Sequence, residues 1–110
     1  DRIIPLNDKI IPLVKNRYDA NKKYLINNKF GNHYTYGTYM NGNFNTCMGK
    51  LKMKHLPHDG RHTFASLMDS AGANDVCIKL IMGHSMKNDT TKGTYTHKTL
   101  EELLTEVNKI

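Results

Sequence analysis

The sequence predicts a mainly α-helical fold with a small β element, an α+β class, from two kinds of pattern. Apolar residues recur at intervals of three and four in five segments, as they do on the buried face of an amphipathic helix. Two short apolar stretches instead have the length and flanking residues of brief strands. With 110 residues and no internal repeat or linker, the chain is expected to form one domain over residues 1–110.

Two strands and one helix are predicted in the first third of the chain. The strands are placed at Arg2–Leu6 and at Tyr24–Ile26, the second within a loop. A proline closes the first strand or keeps it at a sheet edge, because proline has no N–H to donate to a neighbour. A helix from about Lys9 to Asn21 lies between the strands, with Asn7 or Asp8 as its N-cap.

A longer helix is predicted from about Thr35 to Leu51, although Gly37 and Gly42 each weaken it by about 1 kcal/mol. Five apolar residues at helical spacing would form its buried face: Met40, Phe44, Cys47, Met48 and Leu51. The opposite face would present Thr38, Asn41, Asn45 and Lys52.

Three further helices are predicted in the second half, each with a start or stop signal. The first runs from about Asp59 to Ala71 and ends at a glycine. The second, from Asp75 to Met82, is capped by Asn74 and ends at Gly83, and the third begins with a capping box at residues 99–102. Their predicted buried side chains are Phe64, Leu67, Met68, Ala71, Val76, Cys77, Leu80, Ile81, Leu100, Leu103, Leu104 and Val107.

Charge points to a polyanionic partner. The chain has 16 Lys and Arg against 10 Asp and Glu, a net charge of +6. No acidic residue occurs from Ala20 to His58, where lysines are interleaved with tyrosines and asparagines. Lysine side chains suit contacts with phosphate, and tyrosine and asparagine side chains suit hydrogen bonds in a nucleic-acid groove. The pattern favours a nucleic acid, with an ordinary solvated surface as the alternative.

The sequence also excludes a membrane protein and a secreted mini-protein. No apolar run approaches the ~20 residues that cross a bilayer, and Asn7, Asp8 and Lys9 interrupt what would be the core of a signal peptide. Cys47 and Cys77 lack CxxC spacing and are too few for a disulfide framework. We therefore expect a cytoplasmic, reduced protein.

Three clusters in the second half could carry phosphate chemistry. His58 and Arg61 are three residues apart at a helix start, which places imidazole and guanidinium on one side of a turn. Arginine can bind two phosphate oxygens, and histidine can donate a hydrogen bond or shuttle a proton. His84 follows a helix-ending glycine, and Tyr95 lies in a polar segment. Taken singly, each has an ordinary structural explanation as a helix-end or surface residue.

Taken in order, these clusters resemble the catalytic domain of tyrosine recombinases, the phage-integrase family, and in particular integrases of conjugative transposons and related mobile elements. The resemblance is carried by LPHDGRHTFAS at 56–66, LIMGHS at 80–85 and YTH at 95–97. RIIPL at 2–6 also resembles the strand that leaves the β-hairpin of the family, so the resemblance covers essentially the whole chain. It implies the DNA breaking–rejoining fold.

The resemblance implies site-specific recombination of double-stranded DNA with no metal or other cofactor. Tyr95 would attack the scissile phosphate to form a 3′-phosphotyrosyl link and release a 5′ hydroxyl. Arg61 and His84 would bind phosphate oxygens, and His58 would assist proton transfer or bind the phosphate. The helix at residues 35–51 would face a DNA groove, as the equivalent helix does in the family. DNA contacts are therefore expected from Thr38, Asn41, Asn45, Lys50, Lys52 and Lys54.

Two catalytic residues of the family have no match here: an arginine upstream of the RIIPL-like strand and a lysine on the hairpin. We therefore expect the chain to be the C-terminal part of a catalytic domain, inactive or nearly so by itself. The parent enzyme is expected to act as a homotetramer on DNA, without membrane or small-molecule substrate. Its last helix would either close its own core or dock on a neighbouring protomer.

Three other interpretations are weighed against this one. His58 and His62 have the i, i+4 spacing of two metal ligands, but no HExxH glutamate accompanies them. A type IB topoisomerase shares the tyrosine chemistry, although the HDGRHTFAS and GHS segments are more similar to recombinases. A non-catalytic DNA-binding module is the third, and the joint presence of all four candidate catalytic residues argues against it.

Overall fold

The computed structural model describes residues 2–84 and 97–110, and in those residues the regular structure is helical. The helices are α1 (Ile11–Arg17), α2 (Tyr36–Tyr39), a π-helical turn (Met40–Phe44), α3 (Asn45–Leu51), α4 (Asp59–Ser70), α5 (Asp75–Met82) and α6 (Leu100–Val107). The chain divides into two compact units. Unit 1 comprises residues 1–11 and 61–110, and unit 2 comprises residues 12–60. Within the described ranges no helix has the length and apolar character of a membrane span.

The predicted β element is wrong, because no described residue lies in a strand. Arg2–Leu6 and Tyr24–Ile26 have suitable side chains, but a strand also needs a partner for its N–H and C=O groups, and neither has one in the described chain. Arg2–Leu6 instead leads into a turn in which the Ile10 N–H donates to the Asn7 carbonyl over 3.0 Å. The described part of the chain is therefore all-α rather than α+β.

The core of unit 1 is built from α4, α5 and α6. Its buried side chains are Met68, Ile78, Ile81, Met82 and Val107, surrounded by Phe64, Ala65, Ala73, Leu103 and Ile110. Cys77 and Val76 are also buried, as the sequence predicts. Leu67, in contrast, is 51% exposed, since the described helices cover the side of α4 that carries Met68.

The ends of α5 and α6 confirm the predicted capping. The Asn74 Oδ1 accepts from the N–H groups of Val76 and Cys77 at 3.0 and 3.2 Å. Gly83 ends α5 in the left-handed conformation, with φ of 73°. At the start of α6, the side chain and backbone of Thr99 exchange hydrogen bonds with those of Glu102. These contacts satisfy backbone groups that a helix end leaves without partners.

Asn7 joins the N-terminal segment to the C-terminal end of α6. Its Nδ2 donates to the carbonyls of Val107 and Ile110 at 2.8 and 3.1 Å, and its Oδ1 accepts from the Lys9 N–H at 2.8 Å. The side chain is buried, with 7% of the residue exposed. It therefore binds two carbonyls that α6 itself cannot satisfy, rather than acting as a simple N-cap of α1.

Glu106 links α6 to the start of α5. Its Oε2 accepts from the Asn74 N–H over 2.6 Å, and its Oε1 lies 3.0 Å from the Lys109 Nζ. These contacts hold the pKa of the Glu106 carboxyl below its ordinary value, the Asn74 hydrogen bond being the largest cause. The carboxylate is therefore charged at neutral pH, and in this state it links α6 to the start of α5.

Unit 2 depends on partly buried aromatic side chains instead of a buried core. None of its described residues is fully buried. Tyr39 packs between Tyr34 and Phe44, with ring centroids 5.9 and 6.0 Å away. Asn43 adds a hydrogen bond of 2.9 Å from its Nδ2 to the Tyr34 hydroxyl.

The helix predicted from Thr35 to Leu51 is continuous but contains a π-helical turn at Met40–Phe44. A π turn holds more residues than an α turn, so it changes which face of the helix the following residues occupy. Met40, Phe44 and Met48 are accordingly half-buried. The predicted burial of Cys47 and Leu51 is wrong: Cys47 is exposed and Leu51 is 61% exposed.

Replacing Asn7 tests its role in unit 1. Asn7→Ala is expected to lower the free energy of unfolding by about 1–3 kcal/mol, because it leaves the Val107 carbonyl buried without a donor. Asn108→Ala, which removes an exposed acceptor of the Asp8 N–H, should cost less. Urea unfolding followed by circular dichroism measures both losses, and a larger loss for Asn108→Ala would contradict this assignment.

Candidate functional site

The net positive charge of the chain lies entirely in unit 2. Residues 12–60 contain eight Lys and Arg and two Asp, a net charge of +6, which equals that of the whole chain. Residues 1–11 and 61–110 contain eight of each sign and are neutral. Attraction to a polyanion is therefore a property of unit 2, whereas unit 1 has the buried core.

The predicted DNA-contacting residues are all exposed on unit 2. They lie on α2, the π-helical turn, α3 and the segment after α3: Thr38, Asn41, Asn45, Lys50, Lys52 and Lys54. Thr38 is already engaged, because its Oγ1 donates to the Thr35 carbonyl over 3.1 Å and accepts from the Thr35 N–H over the same distance. Lys52 ends α3 in the left-handed conformation, with φ of 54°. The amides and lysines are thus the more available groups.

His58 lies in a closed turn directly before α4. The Asp59 N–H donates to the Leu56 carbonyl over 3.0 Å, and the Asp59 Oδ2 accepts from the Leu56 N–H over 2.8 Å. The same carboxylate lies 3.5 Å from the His55 Nδ1. These contacts fix the backbone on both sides of His58, which is exposed and belongs to unit 2.

Arg61 and His84 both lie in unit 1, on elements that share one core. Arg61 is half-buried in the first turn of α4, and Phe64, one turn later, packs against the core. His84 is exposed two residues after the buried Met82, and its N–H donates to the Lys79 carbonyl over 2.9 Å. Both residues therefore lie on or beside helices that pack into the core of unit 1.

Tyr95 lies outside the described residues. Unit 1 includes His84 and His97 on either side of the undescribed segment. The convergence of Tyr95, His58, Arg61 and His84 on one phosphate therefore stays a prediction.

Arg2 is an additional cation beside this region that the sequence analysis did not assign. Its guanidinium lies against Gly83, so closely that a Cβ on Gly83 would overlap the Nη1, Cζ and Nη2 atoms. The glycine is needed for this approach as well as for its positive φ. Arg2 consequently places a positive charge next to the residue that precedes His84. Its position at the start of the RIIPL segment was the feature of the sequence that could have indicated this role.

Other reactive groups are less suited to catalysis. Burial raises the pKa of the Cys77 thiol, which keeps it protonated. Among residues 2–84 and 97–110, no three His, Cys, Asp or Glu side chains are grouped to hold a metal ion. The exposed lysines of unit 2 instead suit contacts with phosphate.

Comparisons with known proteins identify the family. The model of the phage integrase family matches residues 1–102. A tyrosine recombinase of Thermosipho africanus (strain TCF52B) is 28% identical over 112 residues, which cover 100% of this chain and 39% of the relative. A tyrosine recombinase of Pseudothermotoga lettingae is 29% identical over 114 residues with the same coverage. No solved structure matches the chain.

The chain belongs to the phage integrase family, because the match extends over most of its length. The predicted resemblance to tyrosine recombinases is thereby confirmed. The chain spans about two fifths of the length of the curated relatives that it matches.

A pair of glycines tests the contact of Arg2. Gly83 and Gly72 have nearly the same φ, 73° and 72°, but nothing lies within 4 Å of a Cβ at Gly72. Alanine should cost about 1 kcal/mol at either position, from backbone strain. Gly83→Ala should cost more, because it also displaces Arg2. The excess should vanish in an Arg2→Ala background, as measured by urea unfolding; equal losses in the wild-type background would contradict the contact.

Proposed function

We propose that this chain is the part of a tyrosine recombinase that binds double-stranded DNA and supplies the nucleophile for site-specific cleavage and rejoining. The observation that carries the proposal is the family match over residues 1–102, which includes His58, Arg61, His84 and Tyr95. The attachment of Arg61 and His84 to one core supports it further.

In the proposed reaction the Tyr95 Oη attacks the scissile phosphorus. A P–O bond to Tyr95 forms, and the bond to the 5′ oxygen breaks with its electron pair moving to that oxygen. His58 takes the phenol proton, which is needed because a phenol with a pKa of about 10 is protonated at neutral pH. The 5′ oxygen takes a proton from the hairpin lysine that the family resemblance implies, and leaves as a hydroxyl.

Arg61 and His84 act on the charge that develops in the transition state. The guanidinium of Arg61 donates two parallel hydrogen bonds to the non-bridging oxygens, and His84 donates a further hydrogen bond to a phosphate oxygen. Such preorganised donors stabilise the pentacovalent phosphate. The phosphotyrosyl bond keeps the energy of the broken linkage, so the 5′ hydroxyl of a partner strand can reseal the DNA.

Unit 2 provides the DNA-binding surface in this proposal. Its charge of +6 and its exposed amides and lysines suit phosphate contacts and hydrogen bonds in a groove. The chain alone is expected to bind DNA without cleaving it, since the upstream arginine and hairpin lysine of the family have no match in it. The parent enzyme is expected to assemble as a homotetramer on DNA.

Substitution of the nucleophile in the intact parent enzyme tests the chemistry. Tyr95→Phe should abolish covalent attachment to a nicked duplex, because it removes the attacking oxygen, while DNA binding stays within a few-fold. Tyr36→Phe is the matched control, since Tyr36 is an exposed tyrosine of unit 2, and it should retain the adduct. Denaturing electrophoresis detects the adduct. Its persistence in Tyr95→Phe would refute the nucleophile, and its absence in the wild type would favour the non-catalytic module.

The salt dependence of DNA binding tests the role of unit 2. Replacing both Lys52 and Lys54 with Gln should weaken binding and reduce the slope of log K against log salt by about two, because two fewer counterions are released. Lys79→Gln in neutral unit 1, where Lys79 pairs with Asp75 at 3.0 Å, should leave the slope unchanged. Fluorescence anisotropy at several salt concentrations gives both slopes, and an unchanged slope in the double variant would count against this surface.

A further inference from the structure

A tightly closed turn in unit 2, here named the Asn28 turn (residues 28–32), holds its tip in a defined direction. The Asn28 N–H donates to the Asn32 carbonyl over 2.7 Å, and the Asn28 carbonyl accepts from the Gly31 N–H over 3.0 Å. The Asn28 Oδ1 accepts from the N–H groups of Phe30 and Asn32 at 2.9 and 3.0 Å. Gly31 supplies the positive φ of 81° that the turn requires.

Phe30 lies at the tip of the Asn28 turn with 76% of its surface exposed. Asn28 binds the backbone of Phe30 and not its ring, so the turn holds the backbone that carries the ring and leaves the ring uncovered. The Lys29 Nζ lies 5.1 Å from the centroid of the ring. The ring and the cation attract each other, and most of the apolar surface of the ring stays open to a partner.

The charge around the turn selects the partner. No acidic residue occurs from Ala20 to His58, and Lys22 and Lys23 precede the turn. An apolar protein surface does not require such a concentration of cations. Duplex DNA offers phosphates to the lysines and the apolar faces of sugars and bases to the ring.

We propose, resting on the DNA-binding function proposed above, that Phe30 is an apolar wedge that contacts the sugars and bases of double-stranded DNA. Lys29 binds the adjacent phosphate. The Asn28 turn lowers the entropic cost of the contact, because the tip is already ordered before DNA arrives.

Two neighbouring substitutions should give different signatures in DNA binding. Phe30→Ala should weaken binding to a mixed-sequence duplex about tenfold, because an apolar contact is lost. It should leave the slope of log K against log salt unchanged, since an apolar contact releases no counterion. Lys29→Gln should instead reduce that slope by about one. Fluorescence anisotropy with the 110-residue chain measures both quantities.

Two further variants serve as controls. Leu13→Ala removes another exposed apolar side chain of unit 2, 70% exposed, and should leave DNA affinity unchanged. Asn28→Ala keeps the ring but removes two of the four hydrogen bonds that close the turn, and should weaken binding by several-fold. The unfolding midpoint of Phe30→Ala should equal that of the wild type, since the ring is exposed.

The outcomes separate this inference from the proposed function. If the wild-type chain binds DNA and Phe30→Ala binds equally well, the wedge is overturned and the DNA-binding function stands. If the wild-type chain does not bind the duplex, the proposed DNA-binding function is overturned, and the wedge, which rests on it, is overturned with it. A change in sedimentation of DNA-free Phe30→Ala, with DNA affinity unaltered, would assign the ring to a protein contact and overturn the wedge.

Discussion

The packing of α6 against α5 is the interaction on which unit 1 depends. Val107 enters the core beside Ile78, and the Glu106 carboxylate binds the N–H of Asn74 at the start of α5. Asn7 then attaches the N-terminal segment to the end of α6. The same segment carries Arg2 to Gly83. The surroundings of His84 thus depend on chain segments far apart in sequence.

Burial and charge are divided between the two units. Unit 1 contains the buried apolar side chains and has no net charge, whereas unit 2 has the whole excess of positive charge and only half-buried aromatic rings. A catalytic centre requires rigid placement, which close packing provides. A surface that binds a polyanion requires exposed cations, which would be destabilising inside a core. Close packing is thus a property of unit 1, and an exposed net positive charge is a property of unit 2.

Sequence patterns predicted the features that local interactions decide. The caps at Asn74 and Thr99 and the left-handed end at Gly83 follow from residues within one helical turn, so α5 and the start of α6 agree with prediction. The prediction of two strands was wrong because strand pairing depends on a distant partner. The π-helical turn was not predicted because the spacing of apolar residues was interpreted with α-helical geometry throughout. Arg61 and His84 were assigned from family motifs and their role stays a prediction, whereas the contact of Arg2 with Gly83 joins residues far apart in sequence and had only the position of Arg2 in the RIIPL segment as a signal.

The lack of a buried core in unit 2 has a consequence for evolution. Substitutions at its exposed Asn, Tyr and Lys positions create no cavity and strand no buried polar group, so most should change stability little. Substitutions at Met68 or Val107 in unit 1 carry the full cost of a core defect. Unit 2 can therefore accept more substitutions than unit 1 at little cost in folding stability.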